Sequence, residues 1–172
     1  MEQSTENGSP VAGAAQAQET HQYIAFSVGN REFGVDIMAV REIRGWSGTT
    51  AIPNAPAAVL GVVNLRGTIV PVLDLRSCFG ITPIELTRTH VVFIVKVANR
   101  TIGLVVDSVS DILMVRNSDI QPIRELDDSN RDSAVSQIIV LDKRLVGVIN
   151  LEKLIGQTLN GGLSHKGDQA AA

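Results

Sequence analysis

The order of residues in the first part of this 172-residue chain returns in the second. Displaced by 69 positions, Val28, Asn30, Arg31, Gly34, Val40, Glu42 and Ile43 fall on Val97, Asn99, Arg100, Gly103, Val109, Asp111 and Ile112. Displaced by 76, Val63, Leu65, Ile69, Val72, Leu73, Asp74 and Leu75 fall on Ile139, Leu141, Leu145, Val148, Ile149, Asn150 and Leu151. The difference in displacement falls in a polar connector, where insertion costs little. Self-similarity at a fixed displacement means two copies of one structural unit. The unit is β. Hydrophobic residues make up 44% of the chain but aromatic ones only 3%, so the core is expected to be Val, Ile and Leu, which suit a pleated surface. Each copy holds about five short strands, too few for a large sandwich and right for a small barrel.

The strands are paired by turn signals. Residues 23–28 alternate, Gly29-Asn30 break them, and residues 32–35 resume: a hairpin. Residues 90–97 and 101–106 around Asn99-Arg100, and 137–141 and 145–151 around Asp142-Lys143-Arg144, repeat the form. Residues 61–76 hold the densest version, two β-branched runs separated by Arg66-Gly67. Its second run is apolar at nearly every position, as in a strand buried on both faces. Asn64, Arg66 and Asp74 are the awkward members: either the fold satisfies them or a partner does. Asp36, Asp74 and Asp107 each follow an apolar strand, where a helix cap is expected. Residues 1–21 and 157–172 carry little to bury and read as flexible tails. Residues 117–136 read as an exposed connection.

Charge narrows the partners. Fifteen Lys and Arg face 18 Asp and Glu, for a net charge of −3. Glu2, Glu6 and Glu19 account for all of it, since Lys166 and Asp168 cancel and residues 22–156 balance to zero. A neutral body argues against nucleic acid or an anionic membrane as the main partner. No apolar run approaches the ~20 residues needed to span a bilayer, and the start of the chain is no secretory signal. A cytoplasmic protein is expected.

No catalytic set emerges. His21, His90 and His165 are scattered, and there is no phosphate loop, zinc motif or nucleophile elbow. Cys78 is the single cysteine, so no internal disulfide forms; a buried small hydrophobe is the commoner fate of such a thiol. Trp46, the lone tryptophan, sits in a Gly/Ser/Thr loop as core or as an anchor for a partner. No cofactor, no metal and no catalysis are expected.

The chain resembles the CheW-like family of chemotaxis coupling proteins. The words that carry the likeness are Phe33-Gly-Val-Asp-Ile, Val40-Arg-Glu-Ile-Arg-Gly, Ile52-Pro-Asn-Ala-Pro, Gly61-Val-Val-Asn-Leu-Arg-Gly, Pro71-Val-Leu-Asp-Leu-Arg, Val105-Val-Asp-Ser-Val-Ser-Asp and Leu151-Glu-Lys-Leu. The resemblance implies an all-β domain over 22–156, built as two interleaved five-stranded SH3-like barrels with short helices. By sequence the halves run from about 22–88 and 89–156, with strands exchanged between them. It implies a non-enzymatic adaptor that joins the cytoplasmic tips of methyl-accepting chemoreceptors to the regulatory domain of the histidine kinase CheA. In the family, related barrel contacts close rings. Neither the kinase segments of CheA nor the receiver domain of CheV is present, which favours the stand-alone coupling protein.

Position by position, the likeness places Ile37, Val40, Glu42, Gly61, Asn64 and Arg66 in the receptor groove. Glu42 and Arg66 are expected to form a fork-like pair, facing a partner or serving the fold alone. If both charges are partly buried, losing one should cost several kcal/mol. Under the repeat, Asn64 and Arg66 fall on Val140 and Asp142, so their chemistry looks unduplicated and Arg66 leads the candidates. Two alternatives stand: the same scaffold in a non-flagellar pathway for surface motility or second-messenger control, or a small β-barrel enzyme or ligand-binding protein using Cys78 or the Trp46 loop.

Overall fold

The computed structural model describes residues 19–123 and 134–160. Its eleven strands are β1 (Thr20–Val28), β2 (Arg31–Asp36), β3 (Val40–Gly45), β4 (Val59–Leu65), β5 (Thr68–Asp74), β6 (Val91–Val97), β7 (Arg100–Val106), β8 (Ser108–Arg116), β9 (Ile120–Pro122), β10 (Val135–Leu141) and β11 (Arg144–Ile149). Two short helices follow β5 and β11: α1 (Leu75–Cys78) and α2 (Leu151–Ile155). One sheet runs β8-β1-β2-β11-β10-β9 and the other β3-β6-β7-β5-β4. This is the two-barrel, all-β architecture, with a sixth short strand, β9, in one barrel. The sheets and the halves of the repeat divide the chain differently. The hairpin β1–β2 joins the late strands through parallel pairing of β2 with β11, while β6–β7 joins the early ones through β5 with β7.

The duplication extends to irregularities. Opposite Val95 and Ile94, β3 skips Arg41; opposite Ala25 and Phe26, β8 skips Ser110, its repeat counterpart. Likewise β4 skips Leu60 and β10 skips Ser136, again counterparts. A bulge turns the strand and flips the alternation beyond it. Four bulges at matched positions mean that curvature, as well as strand order, was copied.

Alternation along the strands makes three cores. Tyr23, Ala25, Leu113, Val115, Ile139, Val146 and Val148 fill the barrel of the first sheet. Val72, Val92, Ile94 and Val105 fill the other. The opposite faces of β1, β2, β6 and β7 meet in the largest core, which includes Phe26, Phe33, Phe93, Leu73 and Leu104. Strand β5 therefore has buried residues on both faces, Val72 in a barrel and Leu73 between barrels, as its unbroken apolar run predicts. The expected all-aliphatic core is corrected here. All four phenylalanines lie at or beside the inter-barrel layer, with Phe26–Phe93 rings 5.3 Å apart and Phe33–Phe79 stacked at 4.7 Å.

Asp36, Asp74 and Asn150 cap as expected, accepting from Met38 N, Arg76 N and Lys153 N respectively. Asp107 does not. The chain runs from β7 straight into β8, and the carboxylate is used elsewhere. Three other expectations change. β1 begins at Thr20, inside the stretch assigned to the N-terminal tail, because His21 and Gln22 pair with Val115 and Met114 of β8. Helical structure continues past 157 as a π turn over Gly156–Asn160, since Leu159 packs on the inter-barrel core. β9 pairs with β10 inside the supposed connector. The acidic run at 127–132 and the remaining tail residues lie outside the described residues.

Candidate functional site

Strands β3 and β4 are opposite edges of their sheet, and closing the barrel brings them together. After β3 the chain crosses the opening, and Thr50 pairs with Val62 through Thr50 N to Val62 O at 2.9 Å and Val62 N to Thr50 O at 2.8 Å. Gly61 makes this possible. Its φ is +145°, it is buried, and a Cβ there would lie 2.3 Å from the Thr50 carbonyl oxygen. Of the six candidate residues it is the one with no surface to offer.

Farther along the same seam, the β4–β5 loop is Arg66-Gly67, both at positive φ (50° and 85°), the primed turn that matches strand twist. Asn64 Oδ1 secures it by accepting from Gly67 N at 2.8 Å. Arg66, 82% exposed at its side chain, reaches across to β3 and donates from Nη2 to Glu42 Oε2 at 3.1 Å. The contact is single rather than fork-like, and Arg44 Nε stands 4.0 Å from the other oxygen. The pair borders a depression of about 320 Å³ lined by Arg41, Leu65, Thr68, Val70, Ile94 and Thr101. Exposed pairs contribute about 0–1 kcal/mol, so the several-kcal/mol cost expected for a buried pair does not apply.

Ile37 and Val40 occupy a different setting. Both are half-buried against the inter-barrel core. The bulge at Arg41 separates Val40, facing with Val95, from Glu42, facing with Ile94, although the two are only two residues apart. Glu42, Asn64 and Arg66 thus gather on the barrel seam, Ile37 and Val40 line the edge of the junction between barrels, and Gly61 lies beneath. The polar trio of the β4–β5 hairpin resolves: Asp74 is buried and spent on its cap and on Ser77 Oγ, Asn64 holds the turn, and Arg66 is displayed.

The unduplicated status of the Arg66 chemistry is overturned by geometry. Asp111, counterpart of Glu42, accepts from Arg144 in the other barrel, Nη2 to Oδ1 at 3.0 Å and Nη1 to Oδ2 at 3.2 Å. The arginine has moved across the hairpin tip, from the counterpart of Arg66 to that of Thr68. Arg144 also clamps Glu32 through Nε and Nη2, and the two carboxylates together raise its pKa. What differs is availability: Arg144 is held by two carboxylates and Arg66 by one.

A further cluster ties barrel to barrel. Arg76 of α1 donates from Nε and Nη2 to the two oxygens of Asp107 at 3.0 and 2.6 Å, and from Nη1 to Thr82 O at 3.0 Å. Asp107 Oδ2 also accepts from Gly29 N, in the β1–β2 turn, at 2.7 Å, and His90 Nε2 lies 3.9 Å from Oδ1. Burial would raise the Asp107 pKa, but Arg76 and the Gly29 N–H outweigh it and hold the carboxyl below its ordinary value. Sequence reasoning missed this network. The counterpart of Asp107 in the repeat is Met38, so the repeat itself carried no signal for it.

The remaining catalytic suspects among the described residues make contacts within the fold. His90 is buried and its Nδ1 accepts from Thr87 N at 3.0 Å; His21 bonds Asn117 Oδ1 at 2.7 Å; His165 lies outside the described residues. No group of three or more His, Cys, Asp or Glu among the described residues is arranged to hold a metal. Cys78 packs beside the inter-barrel core, 3.6 Å from Thr158 Oγ1, and burial pushes its thiol pKa up. Since the thiolate is the reactive form, Cys78 is expected to react with a thiol reagent orders of magnitude more slowly in the native protein than in denaturant; equal rates would restore it as a nucleophile.

A seam-closed pair of small β barrels with paired charges on display is the architecture of a scaffold module. The CheW-like domain model matches residues 22–158, and the chain belongs to that family. It is 43% identical over 141 residues to a probable chemotaxis protein CheW of Rhizobium etli, covering 82% of this chain and 91% of that one. It is also 43% identical over 133 residues to chemotaxis protein CheW of Rhizobium meliloti, covering 77% and 86%. The crystal structure of scaffolding protein TtCheW from Thermoanaerobacter tengcongensis superposes with a TM-score of 0.71 at 28% identity, over 80% of this chain and 93% of that one.

Proposed function

We propose that this chemotaxis adaptor joins the cytoplasmic tips of methyl-accepting chemoreceptors to the regulatory domain of the histidine kinase CheA, in the cytoplasm and without a chemical step of its own. The observation that carries the receptor half is Arg66: a strongly exposed guanidinium, posed by a primed turn and a single carboxylate, on the two motif words that mark the family. Ile37, Val40, Glu42 and Asn64 complete the contact, the first two supplying apolar area. Gly61 acts beneath it by shaping the seam. For the kinase half, the support is a matched set of exposed apolar residues, Ile43 and Ile69 on one barrel and their counterparts Ile112 and Leu145 on the other. Such faces suit barrel-to-barrel docking onto the kinase and ring closure by related domains. No helix among the described residues is long and apolar enough to cross a membrane, in keeping with an adaptor that reaches receptors from the aqueous side.

Mixed with a receptor signalling fragment and a CheA regulatory domain, the folded chain is expected to co-elute with both, each contact in the micromolar range. Failure to bind either from a folded sample rejects the reading. Arg66→Glu is expected to remove receptor binding, leave kinase binding and move Tm by no more than about 2 °C, because the lost pair is exposed. Combining it with Glu42→Arg rebuilds the pair. If folding is intact and coupling stays lost, Arg66 touches the receptor itself.

A further inference from the structure

We propose that the β3–β7 barrel carries a binding pocket for a small monocyclic aromatic carboxylate, its ring between Trp46 and the barrel interior and its acid group on Arg44. The cavity measures about 120 Å³ and is lined by Trp46, Val63, Val72, Val92 and Ile94, with Arg44 and Asn64 also in its wall. An empty apolar cavity of about 150 Å³ accommodates a single benzene ring, so the size class is that of one ring.

Comparison of the two barrels shows how the residues around this cavity differ from their repeat counterparts. Where the β3–β7 barrel has Val92 and Val63, the repeat puts the larger Tyr23 and Ile139 in the other, and where it has Ile94 and Trp46 the other has the smaller Ala25 and Val115, all four buried. Where it has Arg44, the other has Leu113, 5% exposed. The pairing is the same in each case: Arg44 stands opposite Val92 as Leu113 stands opposite Tyr23. Arg44 thus occupies a register position that is core in the sister barrel, yet it carries a guanidinium. Its one ion-pair contact among the described residues is the 4.0 Å approach of Nε to Glu42. The amide of Asn64 has its oxygen committed to the turn, which leaves its NH2 as a second donor. Apolar walls with a tryptophan, beside the Arg44 guanidinium, the Asn64 amide NH2 and the Ser47 hydroxyl, select a flat apolar body with an anionic acceptor end. Because Asn64 also sets the Arg66 turn, occupancy would be felt at the seam.

The test uses the full chain alone, so it does not depend on the adaptor reading. Trp46 is the only tryptophan, and its emission reports the pocket directly. Titration with benzoate is expected to change that emission saturably, with Kd on the order of a millimolar or tighter. Arg44→Gln should weaken benzoate about tenfold while leaving neutral benzyl alcohol unchanged. Val92→Tyr borrows the plug of the sister barrel and should abolish binding; if it does not fold, Val63→Ile adds one methylene and should weaken binding several-fold. A linear, unsaturating response to benzoate overturns the site. Equal affinity in wild type, Arg44→Gln and Val63→Ile also overturns it, and tighter binding of benzyl alcohol than of benzoate overturns the anionic class.

Discussion

Gly61→Ala is expected to lower Tm by about 6–12 °C, corresponding to roughly 3 kcal/mol at a few degrees per kcal/mol for a chain this long. The mechanism is a collision between rigid partners. The added carbon would stand 2.3 Å from the Thr50 carbonyl oxygen, 2.8 Å from its carbon and 2.9 Å from Thr49 Oγ1. Two of these are backbone atoms that cannot rotate away, and φ of +145° is itself unfavourable for any residue with a Cβ. Relief requires the Thr50 segment to lift off β4, breaking both Thr50–Val62 hydrogen bonds. Amide exchange should therefore accelerate first at Thr50 and Val62, ahead of the inter-barrel core. A variant melting within a degree of wild type would show that the seam is looser than its geometry implies. Under the proposed receptor contact at the β3–β4 edge, receptor binding should fall as well.

Asp107→Ala is expected to cost about 3 kcal/mol, in the range for breaking a largely buried ion pair on one side. The side chains of Arg76 and Asp107 are only 14% and 21% exposed, so solvent does little to replace the lost carboxylate. Removal also leaves the Gly29 N–H without its acceptor. The network links α1 of one barrel to the β1–β2 turn of the other, so the loss should appear as weakened cooperativity between barrels. Its pH dependence has a definite sign. The folded pKa of Asp107 is lower than that of the unfolded chain, near 3.9, so its contribution is complete above that value and disappears as pH falls through the folded value. The stability gap between wild type and Asp107→Asn should be constant near neutrality and close in acid. A gap that persists unchanged to pH 2 would mean that charge is not what Asp107 supplies.

Hairpins, caps and duplication were legible because each is a local or self-referential pattern. Gly29-Asn30 and Arg66-Gly67 mark turns by backbone preference alone, and Asp74 with Asn150 cap by reaching their own next turn. The candidate site was legible only in part. Glu42 and Arg66 were paired in advance, but their exposure, and hence the small cost of separating them, depended on where the seam fell. Asp107 looked like a third cap after an apolar strand. It became a tie because Arg76, far along the chain, arrived beside it, and no local rule registers that arrival. The same applies to Arg144: an alignment of the repeat sees Asp142 against Arg66 and misses a cation restored two residues later in space.

By itself the sequence determined the alphabet of this protein: β units, made twice, with a neutral body, a family and an arginine worth watching. Those properties depend on spacing and side-chain type, which survive without coordinates. Only the tertiary structure decided which strands share a barrel, since an exchanged hairpin gains as much apolar burial as a local one and nothing in the pattern of its residues distinguishes them. It also decided that a bulge at Arg41 divides Val40 from Glu42, that Gly61 lies buried against the Thr50 carbonyl, and that one barrel buries Tyr23 where its twin has Val92 beside a cavity lined by Trp46. Each of these is a matter of which atoms meet across the chain, and the distance between chain positions carries no record of that.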